Sequence, residues 1–91
     1  MKTKIKIMRI DLFLKTARLI KRRKVAHEAI SNNLILINEI VAKPATKVKV
    51  NDLITLNLGL KQIVVKVTSL TFKNDEVMYE LISEKYLGQR D

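Results

Sequence analysis

The stretch from Arg9 to Asn33, RIDLFLKTARLIKRRKVAHEAISNN, decides the fold, because it holds two short helical patterns joined by a run of cations. The first pattern predicts a helix over 10–20, since its apolar residues recur at helical spacing: Ile10, Phe13, Leu14, Ala17 and Ile20. The second predicts a shorter helix over 24–31, with an inner side of Val25, Ala26, Ala29 and Ile30. Asn32 and Asn33 follow it, and Asn suits a helix end because it tolerates left-handed backbone angles.

The positive charge of the chain is concentrated in the same region. Residues 1–24 carry ten basic side chains against one acid, Asp11, whereas residues 25–91 carry eight of each. The net charge of +9 therefore lies entirely in the first quarter of the chain, and this asymmetry favours a polyanion as the partner. The run Lys21 to Lys24 could also be a solvated turn, but it continues the basic side of the first helix, which favours binding.

Short β patterns occupy the rest of the chain. Asn38 and Glu39 separate two apolar runs, which predicts a hairpin. Three longer strands are predicted over 53–58, 63–70 and 77–83, with polar turns at 73–76 and a polar tail from Glu84. Residues 1–7 alternate Lys and Ile, as in an edge strand or an extended arm. The predicted fold class is α+β, with two N-terminal helices packed on a small antiparallel sheet in one domain.

The composition offers little for catalysis. The chain has one histidine, no cysteine and two glycines, and its acids are scattered without metal-binding spacing. We expect no enzyme, cofactor or metal site. No apolar run approaches the roughly 20 residues that span a bilayer, so we expect a cytoplasmic protein without membrane contact, and a monomer. Four aromatic residues provide no stacking platform for bases, which favours recognition of folded RNA or duplex through its backbone.

The order and spacing of these residues resemble the RNA-binding domain first named from small-subunit ribosomal protein four. The resemblance covers about 9–58 and rests on Arg9-Ile10-Asp11 with Leu14, the run 30–38, Val41 with Pro44, and Asp52 with Ile54. Three residues stand where that family has glycine: Asn33, Glu39 and Asn51. Asn adopts left-handed angles readily, so Glu39 is the departure that bears most on the hairpin turn.

Among small members of that family, the chain is similar to the RqcP family of ribosome-associated quality-control factors. The similarity lies in MRIDLFLKTARLIKRR (8–23) and MYELISEKYLG (78–88). It implies an alpha-L RNA-binding fold that binds obstructed large ribosomal subunits through rRNA and P-site tRNA. It also implies RqcH as a partner in adding alanine tails to stalled chains. The heat-shock family of large-subunit recycling factors and a generic adaptor for structured RNA are the alternatives.

The resemblance also assigns the parts of the chain. Residues 1–8 are a basic arm, 9–58 the RNA-binding motif, and 59–91 strands and a tail that complete the same domain. The RNA-contacting face lies on the two helices, with Asp11 stabilising the first helix and holding a neighbouring arginine. The predicted RNA-binding residues are Arg9, Lys15, Arg18, Lys21, Arg22, Arg23, Lys24 and Lys43.

A different class of function remains open beside RNA binding. In that hypothesis the domain is a targeting module for a protein partner, with the apolar strand over 63–70 as its docking surface. The same strand reads more simply as part of the hydrophobic core.

Overall fold

Two helices and two antiparallel sheets form the part of the chain that the computed structural model describes, residues 6–71 and 77–86. The elements are β1 (Met8–Arg9), α1 (Ile10–Thr16), α2 (Arg23–Ser31), β2 (Ile35–Ile37), β3 (Ile40–Val41), β4 (Lys47–Val48), β5 (Leu53–Leu58), β6 (Lys61–Val67) and β7 (Tyr79–Tyr86). Five strands form one sheet in the order β3-β2-β5-β6-β7, and β1 pairs with β4 in a separate ladder. This is the α+β class that the sequence predicts.

The first helix is shorter than its apolar spacing predicts, because α1 ends at Thr16 rather than at Ile20. Arg18 has a left-handed backbone with φ 66°, which breaks the helix. The N–H groups of Leu19 and Ile20 both donate to the carbonyl of Leu14, so the chain turns back while Ile20 still faces the core. All five residues of the predicted stripe are buried, although the last two lie beyond the helix.

The second helix matches its prediction with two corrections. α2 starts one residue early, at Arg23, and buries Ala26, Ala29 and Ile30. These three residues, at i, i+3 and i+4, define one face of the helix. Val25, predicted to lie on the inner side, is 47% exposed because it falls outside that face. Asn33 follows the helix with φ 63°, the left-handed angle predicted for its end.

The predicted hairpin forms despite Glu39. Ile37 pairs with Ile40, so Asn38 and Glu39 make a two-residue turn between β2 and β3. Both turn residues have positive φ, 51° and 70°, as the favoured two-residue hairpin turn requires. Asn33, Glu39 and Asn51, which replace the family's glycines, therefore all keep the backbone angles that glycine usually supplies.

The last two strands are displaced along the chain from their predicted positions. β6 begins two residues early and ends at Val67, and β7 runs from Tyr79 through Tyr86 rather than from 77 to 83. A polar tail beginning at Glu84 is therefore wrong, since Glu84 lies within β7 opposite Ile63. Val77 precedes the strand and is exposed, whereas Met78 is buried. Alternation read from Val77 fails because the strand starts later and because β7 has an extra, unpaired residue, Ile82, opposite Val64 and Val65.

The hydrophobic core joins both helices to β2, β5 and β6. Val65, Val67 and Leu70 are buried in it, so one side of the stretch predicted as a strand over 63–70 belongs to the core. The arm predicted over 1–8 is described only from Lys6, and the turn over 73–76 and the end of the tail lie outside the described residues.

Candidate nucleic-acid interface

A buried carboxylate organises the arginines at the start of the two helices. Asp11 is 2% exposed, and its Oδ1 accepts hydrogen bonds from Arg9 Nε at 3.2 Å and from the backbone N–H of Leu12 at 2.7 Å. Its Oδ2 accepts from Arg9 Nη2 at 3.0 Å and lies 3.6 Å from Arg23 Nε. The structure thus confirms the interpretation of Asp11 as a helix-start acid that holds a neighbouring arginine, and it adds Arg23 as a second one.

The local backbone explains how the two arginines meet. Arg9 is extended and pairs with Lys47 across the β1–β4 ladder, while the N–H of Ile10 donates to the carbonyl of Thr46 at 2.8 Å. α1 begins directly after Arg9, and α2 begins at Arg23 after the extended residue Arg22. The ladder anchors the first arginine and the helix start fixes the second, so both guanidinium groups reach the same carboxylate.

These residues line a shallow groove, which we call the Asp11 groove. Three further residues of α2 complete its walls, and the lining is Arg9, Asp11, Arg23, Lys24, His27 and Glu28. The side chains of Arg9 and Arg23 remain 43% and 49% exposed even though Asp11 beneath them is buried. Guanidinium groups held in this way present donor pairs to solvent, the geometry that suits phosphate oxygens.

A second group of predicted cations lines a different groove beside the end of α1. Its lining is Lys15, Thr16, Arg18 and Lys21, and no residue is shared with the Asp11 groove. The left-handed angle at Arg18 turns the chain here and places Lys21 beside the last turn of the helix. Of the basic run Lys21 to Lys24, Arg23 and Lys24 therefore share a groove with Arg9, whereas Lys21 lines the second groove.

Two predicted residues lie in neither groove. Arg22 is exposed at the start of α2, and Lys43 is exposed in a turn where its backbone N–H donates to Thr46 Oγ1 at 2.9 Å. Sequence reasoning in turn missed His27 and Glu28 as lining residues, and it missed the pairing of Arg9 with Lys47 in the β1–β4 ladder. Helical spacing from Arg23 to His27 could have indicated the first pair. The pairing of Arg9 with Lys47 joins residues far apart in the sequence and had no local indication.

A second buried carboxylate supports the loop that carries β4. Asp52 accepts hydrogen bonds from the backbone N–H of Lys49 at 2.9 Å, from Lys49 Nζ at 3.0 Å and from Asn38 Nδ2 at 3.1 Å. Burial opposes ionisation of Asp52, but the hydrogen bonds from Lys49 and Asn38 outweigh it and lower the pKa of this carboxyl below its ordinary value. Asn38 Oδ1 also accepts from the N–H of Leu53 at 3.0 Å, so the turn and β5 are tied together.

Other kinds of site are not evident among the described residues. Within residues 6–71 and 77–86, no group of three or more His, Asp or Glu side chains could hold a metal ion. Over the same ranges, no helix has the length and apolar character needed to cross a membrane.

Comparison with known proteins places this chain in a family. Residues 8–54 match the S4 domain, the domain named from small-subunit ribosomal protein four. An RQC P-site tRNA stabilizing factor of Streptococcus pneumoniae is 46% identical over 85% of this chain and 92% of its own length. The factor of the same name from Bacillus subtilis is 42% identical over 90% of this chain and 100% of its own length.

The chain belongs to the family of RQC P-site tRNA stabilizing factors. The match includes both helices and the hairpin, so both grooves lie within the S4 domain of this chain. Among solved structures, the trimeric structure of heat shock protein 15 from Vibrio cholerae has a TM-score of 0.75 over 86% of this chain and 84% of its own. At 22% sequence identity, that likeness is one of fold.

Proposed function

We propose that this protein is an RNA-binding factor of ribosome-associated quality control that binds obstructed large ribosomal subunits. It contacts rRNA and the P-site tRNA, and with RqcH it supports C-terminal alanine tailing of stalled nascent chains. It acts as a single copy in the cytoplasm and binds without catalysing a reaction. The observation that carries the proposal is the pair of exposed arginines held on buried Asp11, in a family whose members are named for stabilising P-site tRNA.

The electrostatics of the helix starts support an anionic ligand. Arg22, Arg23 and Lys24 cluster at the N-terminus of α2, where the helix dipole already carries positive charge and cations are unfavourable. No acidic residue lies in the first turn of this helix to offset them. A phosphate backbone satisfies both the cations and the open N–H groups of a helix start.

In this proposal, three parts of the chain have different roles. Residues 9–58 bind RNA, the basic arm over 1–8 adds positive charge, and residues 59–91 complete the domain as a support for the helices. The predicted site residues act on two RNA surfaces, because the grooves share no residue. The Asp11 groove takes one phosphate backbone and the groove of Lys15, Arg18 and Lys21 takes another, with Arg22 and Lys43 outside both.

The test is association with large ribosomal subunits that carry peptidyl-tRNA, measured by co-sedimentation. The double variant Arg9→Ala and Arg23→Ala removes both guanidinium groups, and we expect at least a tenfold loss of affinity, since hydrogen bonds to charged groups contribute about 1.5–3 kcal/mol each. The control is Lys66→Ala with Lys85→Ala, which removes the same charge from β6 and β7. Equal loss in both variants would mean that total charge, rather than the Asp11 groove, governs binding.

Large-subunit recycling of the heat-shock type is the second candidate, favoured by the fold likeness to heat shock protein 15. The two functions are separated by a reconstituted reaction with obstructed subunits, RqcH and alanyl-tRNA. Tail lengthening that depends on this protein supports the first function. Release of the tRNA from the subunit without any effect on tails supports the second.

A further inference from the structure

We propose that Lys47 is a further RNA-binding residue, which extends the Asp11 groove across the β1–β4 ladder from Arg9 onto β4. Lys47 and Arg9 together bind one stretch of phosphate backbone, and the Arg9–Asp11–Arg23 cluster fixes where that backbone lies. The inference rests on the proposed function and adds to it a residue from outside the two helices.

The strand register places Lys47 beside the groove. Arg9 and Lys47 are direct partners in the antiparallel ladder, and Met8 and Val48 are the neighbouring pair. Direct partners point to the same face of a ladder, with Cβ atoms about 4.5–5.5 Å apart. Val48 is buried and Met8 is partly buried, whereas both Arg9 and Lys47 are exposed. The outer face of this ladder therefore presents an arginine and a lysine side by side.

The pairing places two like charges opposite each other, which is unfavourable in the unbound protein. Arg9 has the carboxylate of Asp11 as a partner, but Asp11 also faces Arg23. Within residues 6–71 and 77–86, none of the ion pairs involves Lys47. A bound phosphate group would lie between the two cations and remove the repulsion, so ligand binding and the arrangement of the ladder favour each other.

The net charge of the groove lining is small, so another cation would strengthen its attraction for phosphate. Its lining has three positive side chains, Arg9, Arg23 and Lys24, against the carboxylates of Asp11 and Glu28, a net charge of +1 with His27 neutral. Lys47 raises this to +2. Such an increase strengthens attraction for a backbone that carries one negative charge per phosphate.

The nearby Lys49 pairs with a different carboxylate, that of Asp52. Lys49 Nζ lies 3.0 Å from Asp52 Oδ1, and the backbone N–H of Lys49 donates to the same carboxylate, so this lysine stabilises the turn before β5. The two lysines have different predicted roles although only one residue separates them. Lys47 is the one whose strand position points it toward Arg9.

The experiment measures binding of Lys47→Gln to large ribosomal subunits carrying peptidyl-tRNA over a series of salt concentrations. We expect an affinity loss of roughly three- to tenfold at low salt and a salt slope, log K against log salt, that is shallower by about 1. The matched control, Lys85→Gln, removes one exposed charge from β7 and is expected to bind like the wild type. The same variants are unfolded thermally without RNA at low and high salt. Lys47→Gln is expected to raise the midpoint at low salt, and the gain is expected to disappear when salt screens the pair.

The outcomes separate this inference from the function on which it rests. If the wild type binds with a steep salt slope and Lys47→Gln binds identically, Lys47 is not a contact and the proposed function stands. If the wild type does not bind the subunits, the proposed function fails and the inference fails with it. An unchanged low-salt midpoint for Lys47→Gln would overturn the premise that Arg9 and Lys47 repel each other.

Discussion

Glu39 occupies a backbone conformation that disfavours its side chain. Its φ of 70° lies in the left-handed region, which costs a non-glycine residue about 1–2 kcal/mol. The turn forms because its neighbour Asn38 tolerates the same region and bonds to both Asp52 and Leu53 through its side chain. Strain at one turn residue is therefore offset by hydrogen bonds from the other.

We predict that Glu39→Gly stabilises the protein by about 1 kcal/mol, because glycine adopts a positive φ without steric cost. Urea unfolding followed by circular dichroism measures the change. Asn38→Gly provides the contrast in the same turn, since it also accepts positive φ but loses the contacts with Asp52 and Leu53. Stabilisation by both glycines would show that those hydrogen bonds contribute nothing.

Asp52 makes the stability of the fold depend on pH in the acid range. Its pKa is lower in the folded protein than the ordinary 3.8, so its ionised form stabilises the fold. This contribution is complete above the unfolded pKa and is lost as the pH falls through the lower folded pKa. We predict that Asp52→Asn is less stable than the wild type at pH 7 and that the difference narrows steadily below about pH 4. Unfolding midpoints in urea across pH 2–7 test this, and a difference that stays constant over the range contradicts it.

The start of α2 lacks a side chain that would stabilise the helix. Its N-cap residue is Arg22, which makes no side-chain capping bond. Serine is a preferred N-cap because its hydroxyl accepts from the open backbone N–H groups of the first turn. The helix therefore has a cation at a position where a small polar residue would stabilise it.

We predict opposite effects of Arg22→Ser on stability and on RNA binding. The new cap stabilises the protein by about 1 kcal/mol, and the lost cation weakens binding to large subunits. Arg22→Ala removes the same charge without adding a cap, so comparison of the two variants separates the effect of the cap from the effect of the lost charge. If the serine and alanine variants unfold at the same urea concentration, the cap does not form.

The elements differ in how far local sequence predicts them. α2 and the β2–β3 hairpin follow closely from apolar spacing and Asn placement. The end of α1 does not follow from local sequence, because Arg18 has a left-handed backbone angle that arginine rarely adopts. The folded chain stabilises that angle. The position of β7 depends on its pairing with β6, including a bulge opposite Val64 and Val65, and alternation alone does not place such irregularities.

The net positive charge of the whole molecule lies in one part of the chain. The first 24 residues carry the entire net charge of +9, and residues 25–91 are balanced. The basic residues could be predicted as a group from the sequence. Their division between two grooves could not, because it depends on the turn at Arg18 and on a ladder that joins Arg9 to Lys47. Contacts between residues so far apart arise only from the complete fold.

We predict that affinity for large ribosomal subunits falls steeply with salt. Each phosphate contact contributes about 0.7–0.9 to the slope of log K against log salt, so four to six contacts among the predicted residues would give a slope of roughly −3 to −5. Sedimentation at 50–300 mM salt measures it. An affinity that stays flat over this range would show that apolar or protein–protein contacts dominate.

The two-residue length of the β1–β4 ladder also bears on the dynamics of the site. Two residue pairs, the bond from Ile10 to Thr46 and the burial of Val48 in the hydrophobic core hold Arg9 in register. So small a unit can open by local unfolding at a fraction of the global cost. RNA that binds only the closed ladder shifts this opening equilibrium by mass action. The protein would then become more ordered on the ribosome than in solution, and the slowed amide exchange of Ile10 would report how much of its time it spends bound.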